Sequence, residues 1–542
     1  MAGAAALACL RAARECQLAA TSFSDDQAAQ GLAITAELRA HFLPPTASTQ
    51  AASPLLQLPA ELLTAILSRL DTRELARLAA TCRSLCRDAP TPPPPPRQIG
   101  PVEAELRRRF ETRDLDVGSS LPEGTTSWVA CLLKRDRRDA QMRQAPLAVE
   151  DEHSIFVDKG GRLLTCGCDY LVPRLGYAKD PDADPYALRT IIPPTPVPSM
   201  QDRRIVSVAT SQNHSLALSA DGEVYSWGLG DVGVLGHGDS DNRAVPSRIE
   251  SLSRIERIAA GPKLTSAAVD EKGRLFTWGW GFTEEEDEDE EGVKVEFEGF
   301  RGLGYELDAG SEYQATPKQV DALSQERVVS VALGDGFTLA VTDAGAVFSC
   351  GSNWDGMLGH GPFEGEVLPR RIEALAVTGR RFVAVVAGNR HAFALTKEGE
   401  VYGWGGHHAN GHGREERTPQ RVAALIGQRV KLVNARGSAS CAVTETGELF
   451  TWGGFDSSFP GNLGHEGPQG TPMRVAGLNG VEIAAVAICR THTLAADADG
   501  VVWAFGQRVA LGLSGRPEFD DDAVIRMPTP IPTLRVRVLN SP

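Results

Sequence analysis

Residues 214–228 read HSLALSADGEVYSWG, and this arrangement of an apolar run, a glycine and a second glycine six residues later occurs seven times in the 542-residue chain. The first glycines are Gly161, Gly222, Gly273, Gly345, Gly399, Gly447 and Gly500; the second are Gly167, Gly228, Gly279, Gly351, Gly405, Gly453 and Gly506. A motif recurring at such an interval marks stacked supersecondary units, each too small to bury its own apolar face. Every second glycine follows a large or soft side chain: Cys166, Trp227, Trp278, Cys350, Trp404, Trp452 or Phe505. Two residues past each first glycine stands Leu163, Val224, Leu275, Val347, Val401, Leu449 or Val502, so apolar positions return with the period of two of a half-buried strand.

Further strands lie on either side of that one. Eight residues before the first glycines stand His153, His214, Thr265, Phe337, His391, Ala439 and His492, each opening a run such as HSLAL or HAFAL. Ahead of these runs come IVSVA at 205–209, VVSVAL at 328–333 and FVAVVA at 382–387; after the second glycine, an LG pair and a proline lead to a fourth stretch, as in Pro246 to Ile249 and Pro419 to Val422. Seven units of four strands with glycine at the corners predict a mainly β chain, a closed seven-bladed β-propeller over 146–539, because closure leaves only short, protected edges. An open solenoid of the same units is the alternative. The units resemble the regulator-of-chromosome-condensation type repeat, with its HslaL, dG-vysWG, LG and P-x-V pattern, over about residues 146–538. A seven-bladed propeller is what that resemblance implies. PLAVEDEH at 146–153 and LRVRVL at 534–539 both stand where the ring must close, and either could do so. The third unit carries an insertion at 282–300 with eight consecutive acids, Glu284 to Glu291, expected to be a solvated, disordered loop; the alternative is a dock for a basic partner.

Composition sets limits on function. The formal charge of −15 opposes direct binding to a phosphate backbone, although the acidic run accounts for eight of those charges. Ten scattered cysteines show no CxxC pair, which fits reduced thiols in the cytoplasm or nucleus and argues against a structural zinc. Residues 3–10, GAAALACL, are too short to span a membrane and lack a charged stretch before them, so neither a secretory signal nor membrane association is expected.

Near the N-terminus the apolar period changes to that of a helix. Over 55–89, Pro59 suits a first helical turn, Leu62, Leu63, Ile66, Leu67 and Leu70 line one face, and Asp71 with Glu74 forms a capping box for a second helix. Leu58-Pro59, Glu61-Leu62-Leu63, Ile66-Leu67 and Cys82-Arg83 resemble an F-box. That resemblance implies docking on a Skp-type linker subunit of a cullin scaffold through Leu58, Pro59, Leu62, Leu63, Ile66 and Leu67. The alternative is a helical hairpin packed on the propeller. Residues 1–50 are Ala-rich and expected to be partly helical or disordered, and 90–145 form a linker, PTPPPPP followed by helical segments.

Three chemistries are proposed by motif and rejected by context. GLGDVG at 228–233 matches a dinucleotide fingerprint but is followed by a loop instead of a helix, so no cofactor is expected. His407, His408 and His412 lie close in sequence, yet no Cys or carboxylate stands at ligand spacing, so no metal is expected. His153, His214, His391 and His492 occur once per unit and read as satisfied polar positions at strand starts, not as catalytic bases. No nucleophile, base and orienting group come together, so the chain reads as a non-catalytic adaptor.

Taken together, the two resemblances imply the substrate-recognition adaptor of a cullin ubiquitin ligase, the F-box docking its linker subunit and the propeller binding an unknown client. Guanine-nucleotide exchange on a small GTPase, the activity of the repeat family's founding member, is the alternative. Photoreception, as in the plant ultraviolet-B receptor, would need tryptophans clustered beside the repeat histidines; Asn213, Arg390 and Thr491 stand there instead. For a client site, the turns joining the first two strands of each blade are expected on one rim. Arg390, Arg436 and Arg490 then form a basic sector in blades five to seven, with Lys263 in blade three and Glu150, Asp151 and Glu152 in blade one. A basic sector of this kind suits an acidic or phosphorylated segment. The competing reading is arginines paired with neighbouring acids.

Overall fold

The computed structural model describes residues 146–169, 173–178, 189–262, 264–288, 294–300, 302–361, 365–406, 409–454, 462–466, 469–507, 524–536 and 538. The stretches 1–50, 55–89 and 90–145 lie outside them, as do Lys263, His407 and His408. Among the described residues no helix is long and apolar enough to cross a membrane.

Each repeat folds as one antiparallel four-stranded sheet, giving the seven blades expected. In blade two the strands are Ile205–Thr210, His214–Ser219, Val224–Gly228 and Arg243–Arg248, paired in chain order. The register explains the spacing of the motif: His214 lies opposite Gly228 and Leu218 opposite Val224, and His153–Gly167, Thr265–Gly279, Phe337–Gly351, His391–Gly405, Ala439–Gly453 and His492–Gly506 are the equivalent pairs. The first glycines turn the chain between strands two and three at φ between +80° and +87°. The second have φ between +91° and +118°, and a Cβ there would run into the carbonyl that ends the preceding strand-one-to-strand-two turn, such as that of Asn213 or Leu264. Only glycine meets both conditions, which is why the pair survives in all seven blades.

The first strands line the axis: Leu147–Glu150, Ile205–Thr210, Ile255–Ala260, Val328–Leu333, Phe382–Ala387, Val430–Arg436 and Ile483–Ile488. Each touches the next around the circle, and the last touches the first, so the ring is closed. Apolar residues gather into seven clusters, one per seam between neighbouring blades. The repeat tryptophan is the wedge of such a seam. Trp227, Trp278, Trp404 and Trp452 are fully buried and donate Nε1–H to the carbonyls of Arg174, Val234, Met357 and Ala409 in the preceding blade, at 2.7–2.9 Å.

Closure brings the first and last blades together and exchanges no strand. Blade one is built wholly from Leu147–Glu150, His153–Val157, Leu163–Asp169 and Arg189–Pro196, and blade seven wholly from Ile483–Ile488, His492–Asp497, Val501–Gln507 and Val524–Arg535. Leu147, Phe156 and Leu164 pack against Leu494, Val502, Ile531, Leu534 and Val536, and Asp158 bridges Val536.

The acidic insertion differs from expectation. Phe282–Glu288 and Lys294–Phe300 pair as an antiparallel hairpin, with Glu284 opposite Glu298 and Glu286 opposite Glu296. The return segment KVEFEGF alternates Val295 and Phe297 with polar residues, a strand pattern that the run of charge conceals.

Candidate functional site

All axial strands run in the same sense, so the turns leaving them, at 151–152, 211–213, 261–264, 334–336, 388–390, 437–438 and 489–491, gather around one mouth of the channel. The loops after the second glycines open on the same side.

Beneath this face the repeat histidines join neighbouring blades. His153 Nε2 meets Thr210 Oγ1 at 2.6 Å; His214, His391 and His492 meet Ser266, Ser440 and Ser154 at 2.8 Å. Ser266 and Ser440 donate their own protons to the carbonyls of Val234 and Ala409, so His214 and His391 donate Nε2–H to them. Burial pushes the imidazoles of His214, His391 and His492 down to about 3, and that of His153 also falls well below its usual range. They are neutral structural pins. Where the histidine is Phe337, the next blade carries Ala392 in place of a hydroxyl, and the two share one apolar cluster.

A second set of histidines is His237, His360, His412 and His465, of which the motif reading weighed His412 alone, as a metal ligand. Their Nε2 atoms reach the hydroxyls of Ser226 and Ser349 at 2.9 Å and the carbonyls of Gly403 and Thr451 at 3.2 and 3.3 Å, tying each loop to its own third strand. The signal was available: each histidine follows an LG or NG pair. Among the described residues no cluster of His, Cys, Asp and Glu could hold a metal ion.

The three rim arginines do not form one basic sector, because the closed ring sets acidic blade one beside blade seven. Arg390 remains exposed, with Asp355 Oδ2 3.6 Å away. Arg490 is half-exposed and donates to Asp151 Oδ2 at 2.7 Å. Arg436 is drawn inward, its side chain only 11% exposed. Its Nε donates to Glu150 Oε2 at 2.6 Å and its Nη1 to the Ala260 carbonyl at 3.0 Å. Burial raises the Glu150 carboxyl above its usual range, with Arg436 acting against that rise. The turns are bonded to one another as well: Asp335 N donates to the Asn389 carbonyl, Asn389 N to that of Gly437, and Thr491 Oγ1 to that of Asp151, at 2.9–3.1 Å. The rim is thus a hydrogen-bonded polar surface that carries both signs of charge.

This ring of like units, with its loops presented around one channel mouth, defines the class: a seven-bladed repeat propeller with a pre-ordered turn face. The chain combines a segment similar to the F-box-like family with segments that match the regulator of chromosome condensation (RCC1) repeat. Residues 55–89 match the F-box-like family, and 221–268 and 344–395 match the RCC1 repeat, with a second profile of that repeat matching 205–234, 328–356 and 382–414. Similar curated proteins include the ultraviolet-B receptor UVR8 of Arabidopsis thaliana, 32% identical over 49% of this chain and 57% of that protein. The E3 ubiquitin-protein ligase HERC2 of Homo sapiens is 39% identical over 43% of this chain and 5% of its own length. The chain therefore spans little more than half of the first relative and a small part of the second. Human WBSCR16 shares the fold at a TM-score of 0.52 and 18% identity, over 66% of this chain and 91% of that one. Prp20p of Saccharomyces cerevisiae does so at 0.53 and 20%, over 73% and 89%.

Proposed function

We propose that the chain is the substrate-recognition adaptor of a cullin ubiquitin ligase. The observation that carries this reading is the pairing, on one chain, of an F-box-like segment at 55–89 with RCC1 repeats. An F-box supplies a scaffold contact and a propeller supplies a surface; neither needs a catalytic group, which is left to partner subunits. Leu58, Pro59, Leu62, Leu63, Ile66 and Leu67 meet the Skp-type subunit, and the turn face meets the client, in the cytoplasm or nucleus. On that face Arg390 and Arg490 keep exposed guanidinium groups suited to a client carboxylate or phosphate, whereas Arg436 is already engaged.

Affinity purification of the full chain and of a variant with Leu62→Asp and Ile66→Asp tests the reading. The unaltered chain should retain a Skp-type subunit, and the variant should lose it, since the new carboxylates would be buried unpaired in the contact. Equal retention by both overturns it. Recovery of a small GTPase in place of the linker subunit would favour nucleotide exchange.

A further inference from the structure

Arg436 ends the axial strand of blade six, and its two partners end the axial strands of blades one and three. Blade six does not adjoin either of these blades: blade seven separates it from blade one, and blade three lies across the ring. The side chain therefore crosses the mouth of the channel and joins blades that share no seam. Its partners suit that task, Glu150 being a buried carboxylate close to Nε and Ala260 offering a carbonyl to Nη1. The turns that flank Arg436 are linked in series, blade four to five to six through Asn389 and blade seven to one through Thr491 and Arg490.

We infer that Arg436 is a cross-channel strut that makes the turn face one mechanical unit and ties its order to the seam between blades seven and one. This holds whatever the face binds.

Hydrogen exchange on the full-length protein, followed by mass spectrometry, tests the inference with Arg436→Ala, Arg436→Lys and Glu150→Gln. The amide of Gly261, bonded to the Thr265 carbonyl in the blade-three turn, and that of Cys168, bonded to the Glu152 carbonyl beside the blade-one turn, report on the distant blades. Gly222, bonded to the Ser219 carbonyl on the opposite face, is the control. In Arg436→Ala both reporters should exchange at least about tenfold faster, the scale of losing one member of a buried pair, with the control unchanged. Glu150→Gln keeps the shape of the side chain and should accelerate Cys168 alone, so the inference stays testable if Arg436→Ala fails to fold. Lysine cannot hold both arms at once and should leave Gly261 fast. Methylguanidinium added to Arg436→Ala should restore protection at both sites in a saturable manner. If acceleration is confined to blade six, or Gly222 changes equally, the strut is refuted.

Discussion

At the scale of single residues, the repeat histidines govern how the fold responds to acid. An unfolded imidazole titrates near about 6.5, whereas His214 in the fold does so at about 3. Between those values the unfolded chain binds a proton that the folded chain refuses. The stabilisation is therefore complete above the upper value and is lost as pH falls toward the lower one. The difference in stability between the parent and His214→Gln, measured by urea titration from pH 7 to pH 4, should shrink on acidification by about 1.4 kcal/mol per pH unit; a pH-independent difference would contradict the assignment. The hydroxyl partner matters as much as the ring. Ser440→Ala strands the Nε2–H of His391 and should cost about 1–3 kcal/mol. Adding His391→Phe reproduces the natural pair of Phe337 and Ala392 and should recover part of that loss in a double-mutant cycle. The seam wedges obey a volume rule. Trp404→Ala, which removes a fully buried indole, should cost about 3–5 kcal/mol. Blade four shows a milder natural version: Cys350 stands in the wedge position, and a cavity of about 10 Å³ lies beside it, lined also by Leu303, Gly304 and Val320.

At the scale of strands, every blade ends on an outer strand with one free edge, and every outer strand carries a proline at the same register. These are Pro194, Pro246, Pro317, Pro369, Pro419, Pro472 and Pro528, each directly before the residue paired with Thr165, Ser226, Thr277, Ser349, Gly403, Thr451 or Ala504 of strand three. Next to it the pairing slips by a bulge in each blade. A missing N–H and a bulge both spoil an edge as a template for a further strand. Replacing Pro246, Pro369 and Pro419 together by Val should leave the circular dichroism spectrum unchanged while raising light scattering on concentration; unaltered scattering would argue against this role. The strands themselves were legible because the period of two and the glycine pairs are local signals. The hairpin at 282–300 was not, since the run of like charge outweighed the weaker alternation of Val295 and Phe297. Pairing of the rim arginines with neighbouring acids was one of two readings, but which acid each would meet was illegible for another reason. Glu150 and Arg436 lie 286 residues apart, in blades that share no seam, and no local pattern indicates that their side chains meet across the channel.

At the scale of the whole ring, the seam between blades seven and one depends on the last strand. Ending the chain after Gln507 would remove Ile531, Leu534 and Val536 from that cluster, together with the Val536 bridge to Asp158. The truncated protein should expose two apolar blade faces and become insoluble, as judged by recovery in the soluble fraction; full recovery would indicate that the ring tolerates an open seam. The intact seam has a further consequence. Blades one and seven are each contiguous stretches, Val157 N donates to the Pro146 carbonyl, and Asp158 bridges Val536, so the start and finish of the ring lie side by side. The order in which the gene writes the blades is then a matter of where reading begins. A propeller re-cut at Gly427, where a Cβ would meet nothing within 4 Å, with a short peptide joining the old ends, should melt within a few degrees of its parent. By the same logic, duplication of any one unit in the gene inserts a complete blade in phase, so blade number can change through copying without any strand changing partners.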